Sequence, residues 1–279
     1  MIAPVVVVTG ATGALGHALA AALAEEGAQV VMVCRHPERG EAARNDIAAL
    51  ASGPEPQLVI ADLADLASIR QVADQICSTH TRLDALVNNA AVFTRTRQES
   101  ADGYELIFAT NHLGPFLLTN LLLDPLRAAR GRVLTISAPS TVALDFDDLQ
   151  SEHAFKALHV FGASKMANLL FTYELARRGD ALAITANAIH PGLVRSHLMR
   201  DAPAPLRWAT RLASRPPDKA AAAIVPVIID PDHATTTGQL LKAGKPVDTN
   251  DYSHEATTQV RLWNDSLNLT GLSDTRQAT

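Results

Sequence analysis

The stretch Val5-Val6-Val7-Val8-Thr9-Gly10-Ala11-Thr12-Gly13-Ala14-Leu15-Gly16 constrains the fold of this chain more than any other. Four consecutive β-branched residues predict a strand buried on both faces, and three glycines at a spacing of three precede an Ala/Leu-rich helix that starts at Leu15. The chain therefore opens as strand, tight turn and helix. Glycines at such a turn let the backbone approach a phosphate, whose charge meets the unpaired N–H groups at the helix N-terminus. An ordinary strand-to-helix turn can carry the same glycines, so the other segments must decide.

They repeat the alternation. Gln29–Val33 predicts a second strand ending in Cys34-Arg35, Pro37–Leu50 a helix, and Leu58–Ala61 a third strand followed by Asp62-Leu63. Leu66–His80 places Leu66, Ile69, Val72, Ala73 and Ile76 at helical spacing. Leu83–Val87 is a fourth strand ending in Asn88-Asn89-Ala90-Ala91, and a long helix is expected from about Gly103 to Ala129, bent near Pro115. Arg132–Ile136 is strand five, Asp145–Ser151 a loop, Ala154–Arg178 a helix, and Ile184–Ile189 strand six, ending at His190-Pro191-Gly192. Residues 193–217, rich in Arg, Pro and Ala and including Trp208, read as an excursion that covers a substrate. A helix over Pro217–Ile229, a final strand at Gly238–Lys242 and a helix from about Ala256 to Leu267 complete the chain.

This order predicts an α/β fold, a Rossmann-like doubly wound parallel sheet flanked by helices, in one domain over residues 1–279. Sites in such sheets lie beyond the carboxyl ends of the strands, where Thr9, Arg35, Asp62, Asn88, Ser137 and Pro191 all fall. With 47% hydrophobic residues the chain can fill a sizeable core. A net charge of −5 without a long basic run argues against nucleic acid or an anionic membrane surface as partner and leaves a small-molecule substrate. Cys34 and Cys77 lack metal-ligand spacing and are expected to be buried apolar residues in a reducing, cytoplasmic setting. No basic segment precedes Val5 and no apolar run approaches the ~20 residues of a membrane span, so neither a signal peptide nor an anchor is expected.

On Thr9-Gly10…Gly13…Gly16, Asp62-Leu63, Asn88-Asn89-Ala90-Ala91, Thr110-Asn111-His112-Leu113-Gly114, Ser164-Lys165-Met166-Ala167-Asn168 and His190-Pro191-Gly192-Leu193-Val194-Arg195-Ser196, the chain resembles the short-chain dehydrogenase/reductase superfamily, in its retinol-dehydrogenase-like branch. The resemblance implies that Gly10, Gly13 and Gly16 shape a phosphate loop, the middle glycine standing one place earlier than in many relatives, as in extended members. It implies that Asp62 contacts adenine, that Asn88 secures the loop beside the nucleoside, and that Ser196 stands near the carboxamide or phosphates. Thr12, Leu15, Leu63, Ala90, Pro191, Gly192 and Val194 belong to the same cofactor surface. The resemblance also assigns Lys165 to the nicotinamide ribose hydroxyls. An acid at the end of strand two would hold the 2′-OH of NAD, whereas an arginine pairs with a 2′-phosphate. Arg35, with Arg39 nearby, therefore predicts NADP(H).

The catalytic pattern is broken. Relatives use a Ser, a Tyr, a Lys four residues after the Tyr and an Asn; here Asn111 and Lys165 remain, Phe161 stands at the Tyr position and Ala138 at the Ser position, with Ser137 beside it as a substitute. Phenylalanine donates no proton. Three readings stay open: an NADPH reductase of a quinone or conjugated carbonyl, such as an aromatic polyketide; a non-redox cyclase, isomerase or lyase that retains the nucleotide; and a catalytically silent nucleotide-binding partner of another enzyme. The first follows because general acid catalysis is worth about 3–5 kcal/mol. A phenolate of pKa ~10, set against an alkoxide near ~15.7, relieves roughly 7–8 kcal/mol. His159, His112, His197 and Ser140 are the other acid/base groups in reach, each more commonly a packing or surface residue. Relatives often pair through their long helices, and the face Met166, Leu169, Leu170, Phe171 is compatible with a homodimer, although core burial explains it more simply.

Overall fold

In the computed structural model, which describes residues 3–196, 198 and 214–273, the opening valines form β1 (Val5–Thr9). Val6, Val7 and Val8 are fully buried because helices lie on both faces of the sheet. Helix α1 (Ala14–Glu25) returns to β2 (Gln29–Cys34), α2 (Pro37–Ala48) to β3 (Gln57–Ile60), and α3 (Leu66–Thr79) to β4 (Ala85–Asn88). Asp65 starts α3 by accepting from the N–H groups of Ala67 and Ser68, which satisfies two donors that the helix leaves free. Then come α4 (Leu106–Phe108), a π-helical turn (Ala109–Leu113), α5 (Gly114–Leu121), α6 (Leu123–Ala129), β5 (Arg132–Ile136), α7 (Ala157–Leu182) and β6 (Thr185–Ile189). The chain continues through α8 (Pro217–Ile229), β7 (Leu240–Lys242), β8 (Lys245–Pro246), α9 (Asp251–His254) and α10 (Ala256–Thr270).

The sheet order is β3-β2-β1-β4-β5-β6-β7-β8. The order reverses between β1 and β4, which opens a crevice beyond their carboxyl ends. One face packs against α1, α2 and α8 through Val6, Val8, Leu19, Leu23, Ile47 and Ile224. The other packs against α3, α5, α7 and α10 through Val7, Val31, Ile69, Phe116, Phe171 and Trp263.

Several expectations are corrected. The single helix expected over 103–129 is three helical segments and a π turn, and the sharp bend of 61° falls at Leu122 rather than at Pro115. Gly103 lies in a turn at φ +82, and Glu105 caps the first turn by accepting from the Phe108 N–H. Helix α7 begins and ends later than expected, its last residue followed by Ala183 in the left-handed region. The strand at the sheet's end turns back as an antiparallel hairpin into β8, which is too short to leave a periodic signal. Cys34 is buried as expected, but Cys77 is exposed, because it lies on the solvent side of α3 away from Ile69, Val72, Ala73 and Ile76. No single described helix is long and apolar enough to cross a membrane. Of the excursion at 193–217, Trp208 and His197 lie outside the described residues.

Candidate active site

The glycine turn closes over the crevice through a network centred on Thr9. Its Oγ1 donates to the Val87 carbonyl and accepts from the N–H groups of Asn89 and Ala90. Asn89 Nδ2 donates in turn to the carbonyls of Thr9 and Gly10. The loop-securing contacts thus belong to Asn89, whereas Asn88 Nδ2 reaches Thr119 Oγ1 and its Oδ1, although buried, has no hydrogen-bond partner among the described residues. Asn89 and Thr9 were legible only as neighbours of Asn88 and Gly10; the cross-strand contact between β1 and β4 is what gives them their role.

The three glycines differ. Gly10 adopts φ +66 with Ala90 against it. A Cβ on Gly16 would lie 2.3 Å from the Gly10 carbonyl oxygen and 2.6 Å from Asn89 Nδ2, so Gly16 is fixed by packing. Gly13 is exposed, and a Cβ there would meet nothing but the Gly10 oxygen, at 3.2 Å. Gly13 is also the N-cap of α1 and contributes no side-chain hydrogen bond. The first N–H groups of α1 are left without intrahelical acceptors above a cradle that a side chain would fill. Uncapped donors, the Gly13 cradle and the orphaned Asn88 oxygen fit a dinucleotide diphosphate and nucleoside.

Around this loop, Thr12 is half-buried, Leu15 buried and Ala90 half-buried. Cys34 lies beneath it, with the N–H groups of Ala11 and Thr12 toward its sulfur, and burial pushes the thiol up to about 11. Arg35 is exposed at the end of β2 with Nε 3.3 Å from His36 Nε2, and Arg39 is close enough for its charge to act on Cys34. No acid follows β2. Asp62 Oδ1 accepts from the Ala64 N–H and shapes the turn after β3, with Leu63 buried against Gly114.

The catalytic positions gather where β5, α7 and the π turn meet. Phe161, on the first turns of α7, packs edge-on against Phe93 with ring centroids 5.7 Å apart. Lys165 Nζ stands 5.3 Å from the centroid of the Phe161 ring and donates to the Ile136 carbonyl at 3.2 Å. Burial pulls the lysine down to about 8. Asn111 sits inside the π turn, 1% exposed, its Oδ1 accepting from Val92 N–H and its Nδ2 donating to the Val92 carbonyl and Ser164 Oγ. It pins the segment after β4 to α7.

Three of the alternative acid/base groups, Ser137, Ser140 and His112, are committed elsewhere. Ser137 Oγ donates to the Lys165 backbone carbonyl at 2.8 Å, and Ser140 Oγ donates to the Gly162 carbonyl at 2.8 Å. Ala138 has no hydroxyl. His112 is wholly buried with Nε2 2.8 Å from Ser266 Oγ, and burial pulls it down to about 3, which makes it a core residue. His159 is two residues before Phe161 and so points to the opposite side of α7. There it lines a cleft with Asp145, Asp148, Leu149 and Ala163.

At the end of β6, Gly192 adopts φ +72, and Val194 forms a parallel bridge with Arg215. The Arg215 guanidinium donates to the Pro191 carbonyl and closes the neck of the excursion. Nothing in the local sequence marks that role for Arg215. Ser196 is exposed, and its Oγ accepts from the Leu198 N–H.

The short chain dehydrogenase family matches residues 4–206, and the chain belongs to it. It is therefore a member of an NAD(P)-binding oxidoreductase family, built on the fold and strand-end site described above. Its relatives include human retinol dehydrogenase 13, 35% identical over 96% of this chain and 84% of the relative, and human retinol dehydrogenase 14, 41% identical over 72% of this chain. The match spans 65% of the length of retinol dehydrogenase 14, a little under two thirds. Among solved structures, an uncharacterized protein from Mycobacterium paratuberculosis superposes with a TM-score of 0.74 at 30% identity, covering 97% of this chain and 94% of its own. A Pseudomonas aeruginosa protein solved as an NADP active-site complex shares the fold, with a TM-score of 0.70 at 24% identity over 90% of this chain and 96% of its own.

Proposed function

We propose that this chain is an NADPH-dependent reductase whose acceptor is a quinone or another conjugated carbonyl of a small molecule. The observation that carries this reading is the pairing of Phe161 with Phe93 at the position where relatives place a proton-donating phenol. With Ala138 lacking a hydroxyl and Ser137 turned to the Lys165 carbonyl, the serine hydroxyl that would orient an alkoxide in relatives has no counterpart at these two positions. A conjugated acceptor suits such a site because its charge is delocalised, and two edge-packed rings offer it an apolar, aromatic wall. Bound at the crevice, the reduced dinucleotide supplies the hydride. Gly13 and the α1 N-terminus hold its diphosphate, and Arg35 with Arg39 favours a 2′-phosphate over a bare ribose.

Two assays test the reading. Fluorescence titration is expected to show tighter binding of NADPH than of NADH, and Arg35→Asp to erase that difference, because a charge-assisted contact worth about 1.5–3 kcal/mol becomes a repulsion. Equal affinities in the native protein would remove the NADP assignment. NADPH oxidation is expected with small quinones and to be negligible with simple ketones. A protein that binds the dinucleotide and consumes it with no member of a quinone panel is not a reductase of this kind.

A further inference from the structure

Taking the reductase reading as its premise, the geometry points to Lys165 as the group that itself hands a proton to the acceptor oxygen, in place of the absent phenol. Four of the groups that could have supplied a hydroxyl or imidazole lie among the described residues. Ser137 and Ser140 donate to backbone carbonyls of α7, His112 is sealed in the core against Ser266, and His159 faces the opposite side of α7. Among the described residues on the Phe161 side of the helix, Ser164 Oγ donates to the Phe161 carbonyl and accepts from Asn111, which leaves the lysine four residues after Phe161, one turn on.

Its donors are not used up. An ammonium carries three N–H bonds, and among the described residues the only hydrogen-bond acceptor it meets is the Ile136 carbonyl, although the residue is 8% exposed. Nζ stands over the Phe161 ring, at the position where relatives carry the phenol. The surroundings are neutral. They comprise Ile136 and Ser137 from β5, Phe161 from α7, Phe93 beyond it, and the Asn111–Ser164 pair. His190, which engages the Ser137 backbone at the end of β6, is held below its ordinary range by burial and then by Lys242 and Arg215. Among the described residues no carboxylate acts on the amine, and desolvation brings it to about 8. A general acid is most effective when its pKa lies near the working pH.

The step balances. One carbonyl oxygen of the quinone takes the hydride from a reduced nicotinamide dinucleotide as a new O–H bond, and the π electrons shift so that the ring becomes aromatic and the other carbonyl oxygen a phenolate. One N–H proton of Lys165 moves to that oxygen, leaving a neutral amine that solvent water reprotonates. The dinucleotide is oxidised and the acceptor reduced by two electrons. Transfer from this ammonium to a phenolate of pKa ~10 runs downhill, whereas a tyrosine would be level with it.

The test uses tetramethyl-1,4-benzoquinone, whose ring has no position open to thiol addition. Single-turnover reduction by the NADPH-loaded protein, followed from about pH 6 to about pH 10, is expected to fall roughly tenfold per unit above the lysine pKa. In the cofactor-free protein, labelling of Lys165 by an amine reagent, read by peptide mass spectrometry, is expected to titrate near 8 rather than at the ordinary 10.5. Lys165→Arg releases no proton in this range, so at saturating NADPH it is expected to lose about 10²–10⁴ in rate together with the alkaline limb. The native pH profile and the labelling stand even where a variant fails to fold. A level rate across the range, labelling at the ordinary value, or an arginine variant as fast as the native protein overturns the role of Lys165 and leaves the reductase reading in place. NADPH binding with no quinone reduction at all overturns both.

Discussion

Gly13 and Gly16 read alike in the chain and are held by different forces. A side chain at 16 collides with the Gly10 backbone and Asn89, while one at 13 enters the open cradle. Gly16→Ala is therefore expected to lower stability by about 1–3 kcal/mol, as overpacked sites do. Gly13→Val is expected to leave the thermal midpoint near native and to abolish dinucleotide binding; calorimetry beside fluorescence titration separates the two, and an unchanged Kd for Gly13→Val would reduce the turn to a plain connection. At this scale the sequence is most informative where backbone conformation or close approach dictates the residue, as at Gly10 with its φ of +66 and at Gly16 against the Gly10 carbonyl. It is silent on where a hydroxyl points. Ser137 could be placed at the end of β5 from its neighbours, but that its hydrogen bond goes to the Lys165 carbonyl depends on how α7 lies across the strand.

The elements differ in how much of themselves they reveal. The buried strands β1, β2 and β6 and the amphipathic α3 announce themselves by apolar runs and helical spacing. The π turn at Ala109–Leu113 does not, since one extra residue per turn leaves the same apolar composition, yet it is where Asn111 is held. His112 in the same turn is surrounded by Phe108, Phe116 and Phe171 and stays neutral. As pH falls below 6.5 the unfolded chain takes up a proton that the folded imidazole refuses until about 3, so stability is lost across that window. His112→Gln is expected to flatten the dependence of urea-unfolding midpoints on pH over that interval. Parallel curves for the native protein and the variant would contradict the assignment of His112 to the core.

Across the whole molecule, the face formed by Met166, Leu169, Leu170 and Phe171 is covered from within. Leu262 of α10 packs with Met166, Leu169 and Leu170, and Trp263 lies 6.0 Å from the Phe171 ring and 5.0 Å from that of Phe116. Core burial explains the face that pairing would otherwise have claimed. The layered sheet was legible because strand and helix periods alternate over the whole chain, and the site because unusual residues cluster at strand ends. The convergence of Phe93, Phe161 and Lys165 was not, since it depends on packing between segments far apart in the chain. That convergence is also where the central claim stands or falls. The most direct measurement is the ratio of kcat/KM with NADPH for a quinone and for its ring-saturated diketone, in the native protein and in the Ala138→Ser, Phe161→Tyr double variant. The account predicts a native ratio of at least about 10², because the anion formed on a quinone is a delocalised phenolate and that on the saturated ketone a localised alkoxide. It also predicts a smaller ratio in the double variant, with the gain confined to the ketone. A native protein that reduces both equally, or a double variant that leaves the ratio unchanged, would contradict it.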